Sequence, residues 1–192
     1  GKAIAERMAE HGAKVVISSR KAGPCDEVAA AINAKHPGAA IAIPASISSK
    51  EDLQRLVDET TKQLGRIDIV VCNAASHPFF GPMSKITDDA FRKVLANNII
   101  ANNWLIQMAA PQMRERRDGA VIIISSIGGM RGSTVIGAYL FERLFWDRRE
   151  QVRRDLRFIV LGHAVLEQAL EPWPGISCKV IFAPPDADPD AC

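Results

Sequence analysis

The chain has 192 residues, of which 47% are hydrophobic and 24% charged, with 13 Gly, 11 Pro and 4 Cys. That is enough for one globular core, and it excludes collagen-like, disulfide-framework and highly charged disordered classes. Twenty-four basic against 22 acidic residues give a formal +2, which makes no electrostatic case for nucleic acid.

Cys25, Cys72, Cys178 and Cys192 form no CxxC pair, and the four His are scattered, so neither a metal site nor a disulfide framework is expected. No apolar run approaches the roughly 18 residues of a membrane span, and no signal-peptide pattern opens the chain. The expectation is a soluble cytoplasmic protein. Composition shifts after Tyr139. Residues 140–192 carry six Arg and one Lys, against nine and eight in residues 1–139, and five of the 11 Pro fall in the last 21 positions.

The chain opens inside a helical pattern: Ile4, Ala5 and Met8 share one face of residues 2–11, and Gly12 fits the stop. Lys14–Ser18 reads as a β-branched strand ending in Ser19-Arg20. Pro24 and the following DEVAAAINA read as a helix closed by HPG at 36–38, and Ala39–Ile43 as a second strand. Ser48 or Ser49 caps the next helix, with Glu51 and Asp52 in its first turn and Leu53, Leu56 and Val57 on its apolar face. After Gly65, Ile67–Val71 is a third strand, leading into Cys72-Asn73-Ala74-Ala75 and the loop SHPFFGP. Thr87 opens a long helix to about Arg117, with a kink predicted at Pro111. Ala120–Ile124 is a fourth, wholly apolar strand, followed by the small-residue loop SSIGGMRGST. From Tyr139 the pattern reads as a mixed-charge helix, then a helical GHAVLEQAL, then an unstructured tail, PPDADPDAC.

Strands alternating with helices over short connections predict repeated βα units and a parallel sheet, with chemistry at the carboxyl ends of the strands. At the first such end, Ser19-Arg20-Lys21 suits a ribose phosphate, or is only a solvated basic turn. At the third, Asn73-Ala74-Ala75 lets a flat ligand approach the backbone. At the fourth, Ser125-Ser126 ends a buried strand, and Tyr139 follows Ser126 by 13 residues. A Ser hydroxyl and a Tyr phenol converging there could bind and protonate a carbonyl oxygen. A core Tyr beside a loop Ser is the plainer alternative.

Residues 1–139 resemble a short-chain dehydrogenase/reductase, and within that family the dehydrogenase/reductase member 4 type and its bacterial relatives. The resemblance rests on VVISSRK at 15–21, DIVVCNAASHPFFGP at 68–82, FRKVLANNIIANNWLIQMAAPQM at 91–113, and GAVIIISSIGGMRGS through to GAY at 119–139. It implies a Rossmann-like doubly wound α/β sheet, NADP(H) rather than NAD(H), and a small carbonyl or alcohol substrate. It further implies a homo-oligomer, dimeric or tetrameric, built on the helix at 87–117 and the Tyr-bearing helix. Carried over residue by residue, Gly1 matches the last glycine of the cofactor turn, and Ser19 and Arg20 the positions that select NADP. Ser46 and Ile47 fall at the adenine, where the family has an acidic residue before the apolar one. Asn73 and Ala74 match the motif beside the cofactor, with Ala75 in place of its glycine. Asn98 matches the helix Asn that holds a proton-relay water, Ser126 the carbonyl-positioning Ser, and Tyr139 the general acid/base.

Two departures follow. The family's Lys one turn after the Tyr favours phenolate and relays protons; here Arg143 stands there, preceded by Glu142 in place of a Ser. Weak or absent catalysis is therefore expected, with a non-catalytic fragment or pseudoenzyme as the alternative. In addition, the family's first strand, central in its sheet order, precedes Gly1 and leaves that place empty. Lys179–Pro185 (KVIFAPP) is similar to a later family strand and turn but lies too far from Tyr139 and is read as coincidence. The expected organisation is a partial Rossmann domain over 1–139 and a divergent segment over 140–192, the product of a reading-frame change near residue 140. The Arg-rich stretch carries Glu142, Asp147, Glu150 and Asp155 among its cations, so a salt-bridged helix face is expected there rather than a nucleic-acid site.

Overall fold

A computed structural model describes residues 1–126, together with the backbone strands at 157–161 and 179–182. The order is α1 (Lys2–Glu10), β1 (Lys14–Ile17), α2 (Ala22–Lys35), β2 (Ala40–Ala42), α3 (Lys50–Leu64) and β3 (Ile69–Cys72). Then come α4 (Asp88–Leu95), a π-helical turn (Ala96–Ile100), α5 (Ala101–Arg116), β4 (Ala120–Ile124), β5 (Arg157–Leu161) and β6 (Lys179–Phe182). Among these residues no helix is long and apolar enough to cross a membrane.

Local chemistry sets the boundaries. Ser49 Oγ accepts from the Asp52 amide at 3.1 Å and starts α3, while Gly65, at φ +84°, ends it in the left-handed region. Thr87 Oγ1 accepts from the Ala90 amide at 3.2 Å and starts α4. The helix runs through Pro111 without a break; the interruption lies instead in the π-turn at Ala96–Ile100. Three Asn within residues 97–102 compete for backbone groups there, which is a physical reason for the ladder to slip.

All strands are parallel, in the order β2-β1-β6-β3-β4-β5. Strand β6 is central. Lys14, Val15, Val16 and Ile17 of β1 register with Lys179, Val180, Ile181 and Phe182, and the other edge of β6 registers with Ile69–Val71. The sequence reading left this place empty and took KVIF for coincidence. The structure corrects the empty place: KVIF supplies the ladder that β1 and β3 would otherwise lack. A second correction concerns Arg157–Leu161, assigned from its charges to a helix. RFIVL instead pairs with all of β4, its β-branched and aromatic run outweighing the helical charge pattern. The segments GHAVLEQAL and PPDADPDAC lie outside the described residues.

Helices cover both faces. On one, α1 and α2 bury Ile4, Met8, Cys25 and Ile32 against Val15 and Ile17; on the other, α3 and α5 bury Leu56, Leu105 and Met113 against Val16, Val70 and Ile123. The amino end of β3 is tied to α5: Arg116 Nη2 donates to the Ile67 carbonyl at 2.7 Å, and Gln112 Oε1 accepts from the Ile67 amide at 2.9 Å. Polar anchoring there leaves the opposite, carboxyl edge as the place where side chains of several strands meet.

Candidate active site

Four strand ends converge at the carboxyl edge. Beyond β1, Ser18 is buried, Ser19 half-buried and Arg20 exposed. Ser19 Oγ donates to the Lys21 carbonyl at 3.3 Å and lies 3.2 Å from the buried Cys25 Sγ, which fixes the turn that presents Arg20. Because α1 joins β1 through a short turn and packs on it, its N-terminal Gly1 lies at this same edge. No side chain caps that end.

Beyond β2, the Ser46 amide donates to Asp52 Oδ2 at 2.9 Å, and Arg55 Nη2 reaches the Pro44 carbonyl at 2.7 Å and Asp52 Oδ1 at 3.1 Å. The Ser46 hydrogen bond, then Arg55, hold the Asp52 carboxyl below its usual pKa. Sequence reasoning placed Asp52 only as a first-turn helix charge and missed that it holds this loop. An acid six residues after a strand-end Ser, at the start of the next helix, was the available signal. Ile47 and Ala74 meet with Ser18, Ala45, Cys72 and Asn102 around one small apolar cavity.

Beyond β3, Asn73 and Ala74 are half-buried and lead into Ser76 and His77. Asn98 is 1% exposed in the π-turn, and its carboxamide is used on both sides. Its Oδ1 accepts from the Ser76 amide at 2.8 Å, and its Nδ2 donates to the Ser76 carbonyl at 3.0 Å. Its own carbonyl accepts from Asn102 Nδ2 at 2.8 Å. The His77 ring meets Phe80 edge-on at 4.5 Å, and burial lowers its pKa, so it is a neutral wall of the loop. Burial pushes the Cys72 thiol up to about 12 and leaves it no nucleophile at neutral pH.

Beyond β4, Ser125 is buried and its hydroxyl has no hydrogen-bond partner among the described residues, while Ser126 is half-buried at the edge. Tyr139 and Arg143 lie outside the described residues, as does Glu142. The structure thus gathers Ser19, Arg20, Ser46, Ile47, Asn73, Ala74, Asn98 and Ser126 at one edge, with Gly1 beside them. Among the described residues, no group of three His, Cys, Asp or Glu could hold a metal ion.

A family model for short chain dehydrogenase matches residues 1–140. The chain belongs to the short-chain dehydrogenase family. It is 38% identical over 140 residues to rat dehydrogenase/reductase SDR family member 4, covering 72% of this chain and 50% of that protein. The human protein of the same name is 36% identical over 142 residues, with the same coverage. Human dehydrogenase/reductase SDR family member 2, mitochondrial, is 34% identical over 140 residues, covering 72% of this chain and 49% of it. The chain therefore spans about half the length of the curated relatives it matches.

Among solved structures, a metagenomic short-chain oxidoreductase in complex with NADP superposes at TM-score 0.79 and 23% identity, covering 96% of this chain and 91% of that one. At that identity the likeness shows the fold alone. Levodione reductase superposes at TM-score 0.71 with 28% identity, over 75% of this chain and 56% of that one. Residues 118–190 also match a model for a protein family of unknown function, DUF3025, which overlaps the dehydrogenase match at 118–140.

Proposed function

We propose that this chain carries an NADP(H)-binding cleft of the short-chain dehydrogenase type and performs carbonyl–alcohol redox chemistry at it, slowly. What carries the reading is the meeting of four strand ends at one edge, with an exposed cation after β1 and a Ser after β4. These fit such a cofactor. Arg20 and Ser19 would hold a ribose phosphate by charge and hydroxyl, and Ile47 would lie against the adenine. Ala74 lets the backbone come close, and the uncapped α1 terminus at Gly1 favours an anion. Asn73 stands on the same strand-end turn as Ala74. Hydride exchange with a carbonyl or alcohol carbon is the chemistry a nicotinamide supplies when bound there. Solved structures of similar fold include both an NADP complex and an NADH-dependent reductase complexed with NAD, so Arg20 is what favours NADP(H).

The chain's own residues would do the rest. Ser126 Oγ would donate a hydrogen bond to the substrate oxygen and orient it. The Tyr139 phenol would give that oxygen its proton in reduction and take it back in oxidation. With a reference pKa of about 10, a phenol needs a neighbouring cation to act as a base near neutrality. Arg143, one helical turn on in sequence, offers charge but keeps its proton, and Glu142 opposes the charge. That pair favours a second reading, a non-catalytic member that keeps the fold and the binding cleft. The substrate class is a small carbonyl compound or its alcohol.

The proposed division is a dehydrogenase part over 1–139 and a divergent part over 140–192, in a cytoplasmic homo-oligomer. The match at 118–190 makes a join of two coding sequences an alternative to a frame change near residue 140. Translating the alternative frames of the coding DNA decides it. A Ser-Lys pair followed by an amphipathic helix in another frame restores the frame change.

The enzymatic reading is tested by following NADPH absorbance with a panel of aldehydes and ketones. Slow, substrate-dependent consumption is expected, falling about a hundredfold or more in Tyr139→Phe. No consumption together with a thermal shift by NADPH establishes the non-catalytic reading. Neither signal overturns both.

A further inference from the structure

The π-turn carries two adjacent buried Asn, Asn97 at 5% and Asn98 at 1% exposure, and the family role implied for Asn98 leaves Asn97 without one. Its carboxamide nevertheless makes two long-range bonds. Ser48 Oγ, in the loop after β2, donates to Asn97 Oδ1 at 3.0 Å, and Asn97 Nδ2 donates to Ser76 Oγ, in the loop after β3, at 2.9 Å. Ser76 is in turn the residue whose amide and carbonyl are both held by the Asn98 carboxamide, at 2.8 and 3.0 Å. A continuous chain therefore runs Ser48–Asn97–Ser76–Asn98, spanning residues 49 and 21 apart in sequence at its first two links.

The two Asn stand in the π-turn. Two consecutive residues of a regular helix point about 100° apart, and the i→i+5 turn narrows that angle. The wider turn allows one Asn to take the Ser76 backbone while its neighbour takes the Ser76 hydroxyl. The loop at the far end of the chain is itself held, because Asp52 accepts from the Ser46 amide and the Ser48 amide donates to Ser46 Oγ at 3.3 Å. Removing the Asn97 link would leave Ser48 held only through Ser46 and Asp52, while Ala45 stays bonded to the Ser19 carbonyl at 2.9 Å.

We propose that Asn97 is a positioning residue whose carboxamide locks the loop after β2 to the loop after β3, so that the grip on a cofactor's adenosine end and the placement of Asn98 are set together. This rests on the reading that the cleft takes NADP(H). Binding at Ile47 stiffens Ser48, Ser48 fixes the Asn97 rotamer, and Asn97 fixes Ser76 against Asn98. The coupling is reciprocal, as thermodynamic linkage requires.

The test uses the full chain and two readouts, hydrogen exchange without ligand and NADPH affinity, on Ser48→Ala, Ser76→Ala, their double variant and Asn97→Leu. Ser48 is exposed, so truncating its hydroxyl leaves the core intact. In Ser48→Ala, exchange at the Ser76 amide is expected to rise about fivefold, the loss of one net hydrogen bond, the two serines being joined through the Asn97 carboxamide. Asn97→Leu is expected to speed exchange in both loops. Each serine variant is expected to weaken NADPH about fivefold, and the double variant no further than about twofold beyond the weaker single one. Exchange confined to residues 46–49 in Ser48→Ala overturns the coupling, and so do multiplying losses of affinity in the double variant. If the unaltered chain does not bind NADPH, the cofactor reading fails while the exchange arm still decides whether Asn97 couples the loops.

Discussion

Strand β6 is the least expected element of the fold, and a backbone perturbation tests it. In Ile181→Pro the residue that registers with Val16 on one side and Val70 on the other loses its amide hydrogen. One buried ladder bond goes and leaves a carbonyl unsatisfied, at about 1–3 kcal/mol. The pyrrolidine ring adds steric cost against a strand on each side, bringing the total to about 3–5 kcal/mol, a large share of the 5–15 kcal/mol that holds typical domains together. For a chain of this size that is a fall of roughly 10 °C in melting temperature.

The control is Ala42→Pro in edge strand β2. The Ala40 amide points away from β1 to Asn33 Oδ1 at 2.9 Å, and the period of two puts the Ala42 amide on the same outer side. The control removes no ladder bond and is expected to cost about 1 kcal/mol or less. Thermal unfolding followed by circular dichroism reads both variants. An Ile181→Pro melting curve that superposes on the unaltered protein, or a loss equal to that of Ala42→Pro, refutes β6 as the central strand.

Restoring the proton relay should restore rate: Glu142→Ser with Arg143→Lys is expected to raise kcat about tenfold or more with little change in KM for NADPH, measured by steady-state kinetics. At neutral pH Cys72 should resist alkylation in the folded protein and label only at the rate of unfolding, as read by peptide mass spectrometry. Its pKa, raised from 9.0 to about 12, means the folded state holds the thiol proton more tightly than the unfolded chain. The stability it contributes is full below about pH 9 and is lost as pH rises toward 12, so Cys72→Ala should flatten the alkaline limb of a stability profile. Asp52→Asn is expected to speed exchange at the Ser46 amide. Since the folded Asp52 pKa is lowered, acid should reduce the Ser46 amide's protection factor in the unaltered protein, the protection being present above the ordinary Asp value and lost as pH falls through the folded one.

The βα alternation was legible because period and punctuation agree. KVVI, IVVC and AVIII are β-branched runs bounded by Gly, Asp or Ser, and Ser49 and Thr87 cap helices in the predicted places. The strand-end residues followed from topology, since a parallel sheet presents its loops at one edge. Two strands were not legible. A four-residue run such as KVIF carries no sign of where in a sheet it will pair, because placement depends on which ladder lacks a neighbour. RFIVL follows a stretch rich in helical charge pairs, and local pattern weighted the charges over the apolar run that β4 selects. The Asn97 bridge was invisible for a different reason: its links join residues far apart in sequence, and consecutive Asn in a helix read as poor helix formers until the π-turn explains them.

The most direct test of the cleft is a calorimetric titration of the full chain with NADPH and with NADH. Saturable one-to-one binding of NADPH is expected, tighter than NADH by about tenfold, with the preference lost in Arg20→Asp, where an attractive charge becomes a repulsive one. Heats no larger than dilution for both nucleotides would contradict an NADP(H) site at this edge.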